Sequence, residues 1–489
     1  MKKISSLFFF LVTVSCQSIL DKELNPNIIL INLDDLGWTD LSYMGSNYYD
    51  TPNIDKLSNS GMTFYNAYAL ANCAPSRATM LSGKYPTEHN IYTVGNSDRG
   101  NKKTRKLMPV KNTTTLNLKF LLIPEMLKTK GYINGHFGKW HLGSKGFYPE
   151  DNGFDINVGG SHKGAPGKGG YFSPYRNPSI KDGPDGEYLT DRIGDEVVRF
   201  IDKNRNNTFF AYVPFFSVHT PIQSKNEYEK KYLRIEGDKN HNRADYAGMI
   251  NSVDENIGKI LNKIEELDLL KETLIIFTSD NGGIRAISKQ FPLRAGKGSY
   301  YEGGIRVPLV FSWKGQIKPK SKSYERVSNM DFFPTLKKIV GYENKNLELE
   351  GVDLSPIFKN KKIKNRSLFF HFPIYLQAYN VHEDKGTDPL FRTRPGSVII
   401  KDNWKLHHYF ENNSMELYDL NDDVSESINL SKENQSKTHE LFTELEAWRK
   451  ENNAPIPNEL NPDFDQKFVD SLLLLIHENK VSGRIFKNQ

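Results

Sequence analysis

The 489-residue sequence predicts an α/β fold, a sheet flanked by helices, followed by a small α+β unit at its C-terminal end. Three observations carry this. Short apolar runs of strand length recur as far as Asp280, separated by amphipathic stretches. Four of these runs end in acids, amides, Lys or His, the chemistry expected where an open α/β sheet binds its ligand. From about residue 385 the texture changes to short strand-like pieces and a helix. Hydrophobic residues at 37% and aromatics at 12% supply a real core and exclude wholesale disorder.

In chain order, Lys2, Lys3 and the apolar run Leu7 to Val14 read as an export signal over residues 1–15, too short to cross a bilayer. Cys16 stands where a bacterial lipoprotein signal is cut and lipidated, although Thr13 occupies a position where Leu is commonest. Residues 16–26 are then a tether. The expected location is the periplasm or the cell surface, with a lipid on Cys16 as the one membrane link. Ile28-Ile29-Leu30-Ile31 is a buried-type strand running into Asp34-Asp35. Tyr132 to Phe137 runs into Gly138-Lys139-Trp140-His141. Phe209 to Val218, interrupted by Pro214, ends at His219. Leu274 to Phe277 ends in Asp280-Asn281-Gly282-Gly283. Met249, Ile250, Val253, Ile257, Ile260, Leu261, Ile264 and Leu267 recur at three and four residues and give a long helix one apolar face.

Two loops over the polar edge are basic. Residues 95–113 carry Arg99, Lys102, Lys103, Arg105, Lys106 and Lys111; residues 159–186 carry Lys163, Lys168 and Arg176. Both read equally well as solvated surface or as contacts to an anion. Beyond residue 385, Ser397–Ile400, Lys405–Tyr409 and Met415–Tyr418 are strand-like and a helix is expected over Lys437–Lys450. Lys and Arg number 65 against 59 Asp and Glu, a net charge of +6 spread over the whole chain. With no RNP-type motif or basic repeat, this excludes a nucleic-acid binder and suits an anionic substrate. Two Cys exclude a disulfide scaffold.

The second Cys lies in Cys73-Ala74-Pro75-Ser76-Arg77, followed by Leu81-Ser82-Gly83-Lys84. Pro75 suits the first turn of a helix and Gly83 its end. Cys73 then sits at a helix N-terminus, where free N–H groups favour an anion, with Arg77 one turn on. A nucleophile between a positive helix end and a guanidinium suits sulfate or phosphate transfer; the bland alternative is a buried structural thiol.

Cys-x-Pro-Ser-Arg followed by Leu-Ser-Gly resembles the signature of the type I sulfatases, in which this Cys is oxidised to formylglycine. The resemblance runs from about Asn27 to Leu430, through Asp34-Asp35-Leu36-Gly37, Gly138 to Gly143, His219-Thr220-Pro221, Asp280-Asn281-Gly282, Lys297 and Glu416 to Leu420. Lys84 replaces the more usual Arg. It implies an alkaline-phosphatase-like large domain over 27–384, built on a central mixed, mostly parallel sheet. It also implies a C-terminal α+β subdomain with an antiparallel sheet over 385–489.

The resemblance further implies one Ca²⁺ held by Asp34, Asp35, Asp280 and Asn281 and contacting residue 73, hard oxygen donors that suit this ion. One hydroxyl of the formylglycine hydrate attacks sulfur and the other later expels sulfate. His219 is the expected acid to the leaving oxygen with Lys297 beside it, and His141 the base; imidazole suits both tasks. Lys139 and Arg77 hold the hydrate and the sulfate oxygens. Ser161 is a further polar contact, while His162 and His371 are read as structural. A maturase acting on Cys73 is the implied partner.

The rival readings are a phosphatase or phosphonate-ester hydrolase on the same scaffold and an inactive carbohydrate-binding relative. Asp- and Asn-based metal motifs without His disfavour the first. Intact Cys73, Arg77, Lys139, His141 and His219 disfavour the second. The resemblance implies a sulfated polysaccharide or its oligosaccharides as the substrate, with ulvan or another algal polymer as the expected example.

Overall fold

The computed structural model describes residues 25–483; the export signal and Cys16 lie outside the described residues. An eight-stranded sheet forms the centre. Its strands are β1 (Asn27–Leu33), β2 (Met62–Phe64), β3 (Ile133–Phe137), β4 (Ile156–Val158), β5 (Phe209–Pro214), β6 (Thr273–Ser279), β7 (Leu309–Ser312) and β8 (Ser321–Ser323). They lie in the order β4-β3-β5-β1-β6-β7-β2-β8. β7 alone runs against its neighbours, so the sheet is mixed and mostly parallel. β5 is shorter than its apolar run because Pro214 has no N–H to continue the ladder.

The strands are apolar on both faces because helices cover both. On β1, Ile29, Ile31 and Leu33 join one core with α1 (Pro52–Ser60), α4 (Leu189–Lys203) and α5 (Ala244–Glu266). Ile28 and Leu30 join another with α2 (Cys73–Ser82), α3 (Ile123–Thr129) and α6 (Phe332–Ile339). The period of two along a strand sorts neighbouring residues into these cores. The periodic residues expected on the long helix are buried along α5 from Met249 to Ile264, and Leu267 follows its last turn.

The C-terminal antiparallel sheet contains β9 (Leu368–Phe372), β10 (Gly396–Lys401), β11 (Trp404–Tyr409) and β12 (Ser414–Asp419), paired in that order. β9 precedes residue 385, the boundary expected from the change in texture. Its apolar run Leu368-Phe369-Phe370 carries no local mark of which sheet it joins. One face packs on Tyr68, Tyr300 and Tyr301 of the large domain, and the other on α7 (Gln435–Glu451). A further helix, α8 (Gln466–His477), packs on Tyr375, Leu390 and Phe391. No helix among the described residues is long and apolar enough to cross a membrane.

Candidate active site

The polar residues converge at the carboxyl ends of β1, β3, β5 and β6. Backbone bonds knit these ends together: Asp34 N–H donates to Ser217 O at 3.0 Å, Lys139 N–H to Pro214 O at 2.7 Å and Asp280 N–H to Leu33 O at 3.0 Å. Gly138 makes the Lys139 turn feasible, since a Cβ there would lie 2.0 Å from Pro214 O. Asp35 and His141 adopt left-handed backbone at φ 63° and 65°. Non-glycine residues at such angles gather at functional sites, where the surroundings hold them in place.

Cys73 is the first residue of α2, with Asn72 as N-cap, and all ten residues of the helix are buried. Gly83 closes the helix at φ 66°. Cys73 Sγ lies 3.5 Å from Asp34 Oδ1 and 3.8 Å from Asp35 Oδ1. Ligand atoms of Asp34, Asp35, Cys73 and Asp280 all fall within 4.8 Å of one another. Lys139 Nζ is 2.7 Å from Asp34 Oδ2, Lys297 Nζ 2.7 Å from Asp35 Oδ1, and Arg77 Nη2 2.8 Å from Asp280 Oδ2. Arg77 also donates through Nη1 to Lys139 O at 2.9 Å. Three buried carboxylates thus face three buried cations.

The electrostatics follow. Burial, then Asp34, pushes Asp280 up to about 6 despite Arg77. Burial also works to raise Asp35, but Lys297, His219 and Lys139 outweigh it and hold it well below the carboxylate range. Burial pushes the Cys73 thiol up to about 12 against the pull of Lys139 and Lys297, so unmodified Cys73 is a neutral thiol at pH 7. Burial, with Lys297 and Lys139, pushes His219 down to about 3. Burial, then Lys139 and Arg77, holds His141 well below its ordinary value.

His219 Nδ1 lies 2.7 Å from Thr220 O, which favours the proton on Nδ1 and leaves Nε2 facing Asp35 Oδ2 at 3.8 Å. Tyr171, which carried no sequence motif, fixes the His219 backbone by donating to Phe216 O and His219 O at 2.7 and 2.9 Å. His141 Nδ1 is buried without a partner. Its backbone N–H donates to Ser161 O at 3.0 Å, and the Ser161 hydroxyl accepts from Lys163 N–H at 3.2 Å. His371 is far from this chemistry: its ring nitrogens meet Ser397 Oγ at 2.8 Å and Pro455 O at 3.0 Å, and His162 is exposed.

The donor set fits a divalent cation. Asn281 donates through Nδ2 to Asp35 Oδ1 at 2.8 Å, yet its Oδ1 is buried with no hydrogen-bond partner. A free amide oxygen among three carboxylates suits a hard metal ion.

The first basic loop is largely occupied by the protein itself. Lys102 pairs with Asp463 at 3.2 Å, Lys103 with Asp465 at 3.3 Å, and Lys106 donates to Glu411 O at 3.0 Å. No local feature of the loop foretells partners so distant in sequence. Arg99 donates to Val94 O within its own loop.

Carboxylates and cations gathered around a buried Cys at one sheet edge suit the binding of an anionic group. Residues 26–342 match the Sulfatase family and residues 296–451 match the family described as N-sulphoglucosamine sulphohydrolase, C-terminal. The chain belongs to the sulfatase family and is a sulfuric ester hydrolase. It is 34% identical to a sulfatase of Formosa agariphila, over 93% of this chain and 95% of that one. It is 31% identical to the N-acetylgalactosamine-6-sulfatase of Mus musculus, over 74% of this chain and 71% of that one. The crystal structure of Ps i-CgsB in complex with k-i-k-neocarrahexaose superposes with a TM-score of 0.72 at 28% identity, covering 92% of this chain and 97% of that one.

Proposed function

We propose that this sulfatase removes sulfate esters from a sulfated polysaccharide or its oligosaccharides, using formylglycine made from Cys73 and one Ca²⁺. The observation that carries the reading is the setting of Cys73, whose Sγ lies 3.5 Å from Asp34 Oδ1 among three carboxylates, Asn281 and three cations. A relative named N-acetylgalactosamine-6-sulfatase, and a structure in complex with k-i-k-neocarrahexaose, support a carbohydrate substrate. An N-terminal export signal would take the enzyme to the periplasm or cell surface, where such polymers are met.

Formylglycine supplies a carbon that carries two hydroxyls when hydrated, one to attack sulfur and one to help expel sulfate afterwards. Asp34, Asp35, Asp280 and Asn281 would hold the Ca²⁺, which offsets charge on the sulfate oxygens. Balanced side-chain charge plus a divalent ion leaves the pocket positive and suited to an anion. Arg77 and Lys139 orient the nucleophile and the sulfate. Lys297 and His219 flank Asp35, and His219 Nε2 gives the proton to the leaving oxygen. His219 is neutral in the empty pocket, and the negative charge of a bound sulfate raises its affinity for that proton. His141, with Nδ1 unpartnered, takes a proton from the second hydroxyl.

The test is sulfate release from a panel of sulfated oligosaccharides by protein co-expressed with a formylglycine-generating maturase, beside an aryl sulfate and an aryl phosphate. Release of sulfate from a saccharide supports the reading. Hydrolysis of the phosphate with no sulfate released from any substrate overturns it.

A further inference from the structure

We infer that Arg99, backed by Tyr379 and Arg392, forms a second anion subsite beside the sulfate centre, and that it takes a carboxylate or a further sulfate on the same or the adjoining sugar ring. The inference rests on the sulfated-saccharide reading above and names a charge that the substrate carries in addition to the scissile ester.

The subsite is assembled from two segments. Tyr375 N–H donates to Ser97 O at 2.9 Å, and Asp98 bridges Tyr375. A Cβ on Gly100 would lie 3.1 Å from Phe391 Cε1 and 3.4 Å from Gln377 Cβ. The Arg99 loop therefore lies against the small ribbon of Leu376–Gln377 and Phe391–Thr393. Within that ribbon Arg392 is 2% exposed. Its Nη1 donates to Lys297 O and its Nε to Gln377 O, both at 2.9 Å, and its guanidinium lies 3.5 Å from the Tyr379 ring centroid. The first of these bonds fastens the ribbon to the residue whose Nζ holds Asp35.

Asp384 compensates the positive charge here only in part. Arg392 Nη2 is buried with no hydrogen-bond partner, and the half-buried Arg99 donates to Val94 O. Among the described residues neither guanidinium forms an ion pair. Asp384 lies within electrostatic reach of Arg392; its Oδ2 accepts from the N–H groups of Tyr379 and Asn380, and its Oδ1 is buried without a hydrogen-bond partner. Burial and then Arg392 weaken the hold of Arg99 on its proton, and Arg99 also lies within electrostatic reach of Cys73. Burial works to raise the Tyr379 phenol, but Arg392, Lys297 and Arg99 outweigh it and lower it. Guanidinium groups withdrawn from water without an anion are costly. A substrate oxyanion removes that cost and gains charge-assisted hydrogen bonds.

The experiment compares kcat/KM for three saccharides with the same scissile sulfate: a monosulfated one, one with a second sulfate, and one with an adjoining uronate. The wild type is expected to favour at least one dianionic substrate over the monosulfated one by about tenfold or more, the worth of a hydrogen bond to a charged group. Arg99→Ala should collapse that ratio toward one, mainly through KM; Arg99→Lys should restore part of it, and added salt should compress it. The arm that shows the preference identifies the anion as sulfate or carboxylate. A wild-type ratio near one, or a ratio unchanged in Arg99→Ala, overturns the subsite while leaving the sulfatase reading intact. Absence of sulfate release from all three saccharides overturns both.

Discussion

Lys139 donates to Asp34 Oδ2 across 2.7 Å, and neither side chain has any solvent exposure. The bond ties the ends of β3 and β1, which are separated in the sheet by β5. Removing one partner of a buried pair strands the other charge, so Lys139→Met should lower the stability of metal-free protein by about 3–5 kcal/mol. Added Ca²⁺ should recover part of the loss by neutralising Asp34. Urea denaturation with and without the ion measures both; an unchanged midpoint would mean that the pair does not form.

Cys73 should be converted to formylglycine when a maturase is co-expressed. Peptide mass spectrometry should find the residue lighter by roughly 18 Da, the replacement of a thiol by an aldehyde within cysteine oxidation chemistry. Cys73→Ser should be nearly inactive in a host that oxidises only Cys. Full activity from unmodified Cys73 would count against the assignment.

One Ca²⁺ per chain is expected at Asp34, Asp35, Asp280 and Asn281. Chelation should lower both activity and Tm, because an ion bound only by the folded state stabilises it. Metal analysis giving stoichiometric zinc and no calcium would refute this.

The two site histidines should fail differently. His219→Ala should slow sugar sulfates more than an activated aryl sulfate, by a further factor of ~10 or more, because only the poor leaving group needs the proton. His141→Ala should give a burst of alcohol followed by slow turnover on either substrate. Equal losses for His219→Ala with no burst for His141→Ala would reverse the assigned roles.

His371 supplies a pH dependence of stability apart from catalysis. Burial pushes it from 6.5 down to about 3, so the folded protein keeps it neutral in a range where the unfolded chain binds a proton. Its contribution is therefore full above about 6.5 and declines as pH falls toward 3, by ~1.4 kcal/mol per pH unit. Denaturant titrations between pH 7 and 4 should show a shallower decline in His371→Gln than in the wild type. Parallel slopes would exclude the effect.

Four strands of the sheet and their polar ends were legible for one reason: strand-length apolar runs end directly in charged or polar groups, so the placing of Asp34, Lys139, His219 and Asp280 at one edge needed only period and position. Cys73 was legible through its short-range motif. The rim was not. Lys102 and Lys103 read as free basic residues because Asp463 and Asp465 lie far along the chain. Arg392 and Tyr379 stand in a segment without motif or strong periodicity; the contact of Arg392 with Lys297 and its stacking on Tyr379 are created only by tertiary packing.

Cys73 is 2% exposed at the head of a helix with every residue buried. A maturase of the kind proposed would be too large to reach this side chain in the folded protein, so the modification would have to come first in time. Conversion and folding would then compete for each newly made chain, and a chain that folded before conversion would stay inert in a native shell. Preparations would differ in specific activity with identical folded content, and slower synthesis or folding would raise the active fraction without altering any residue.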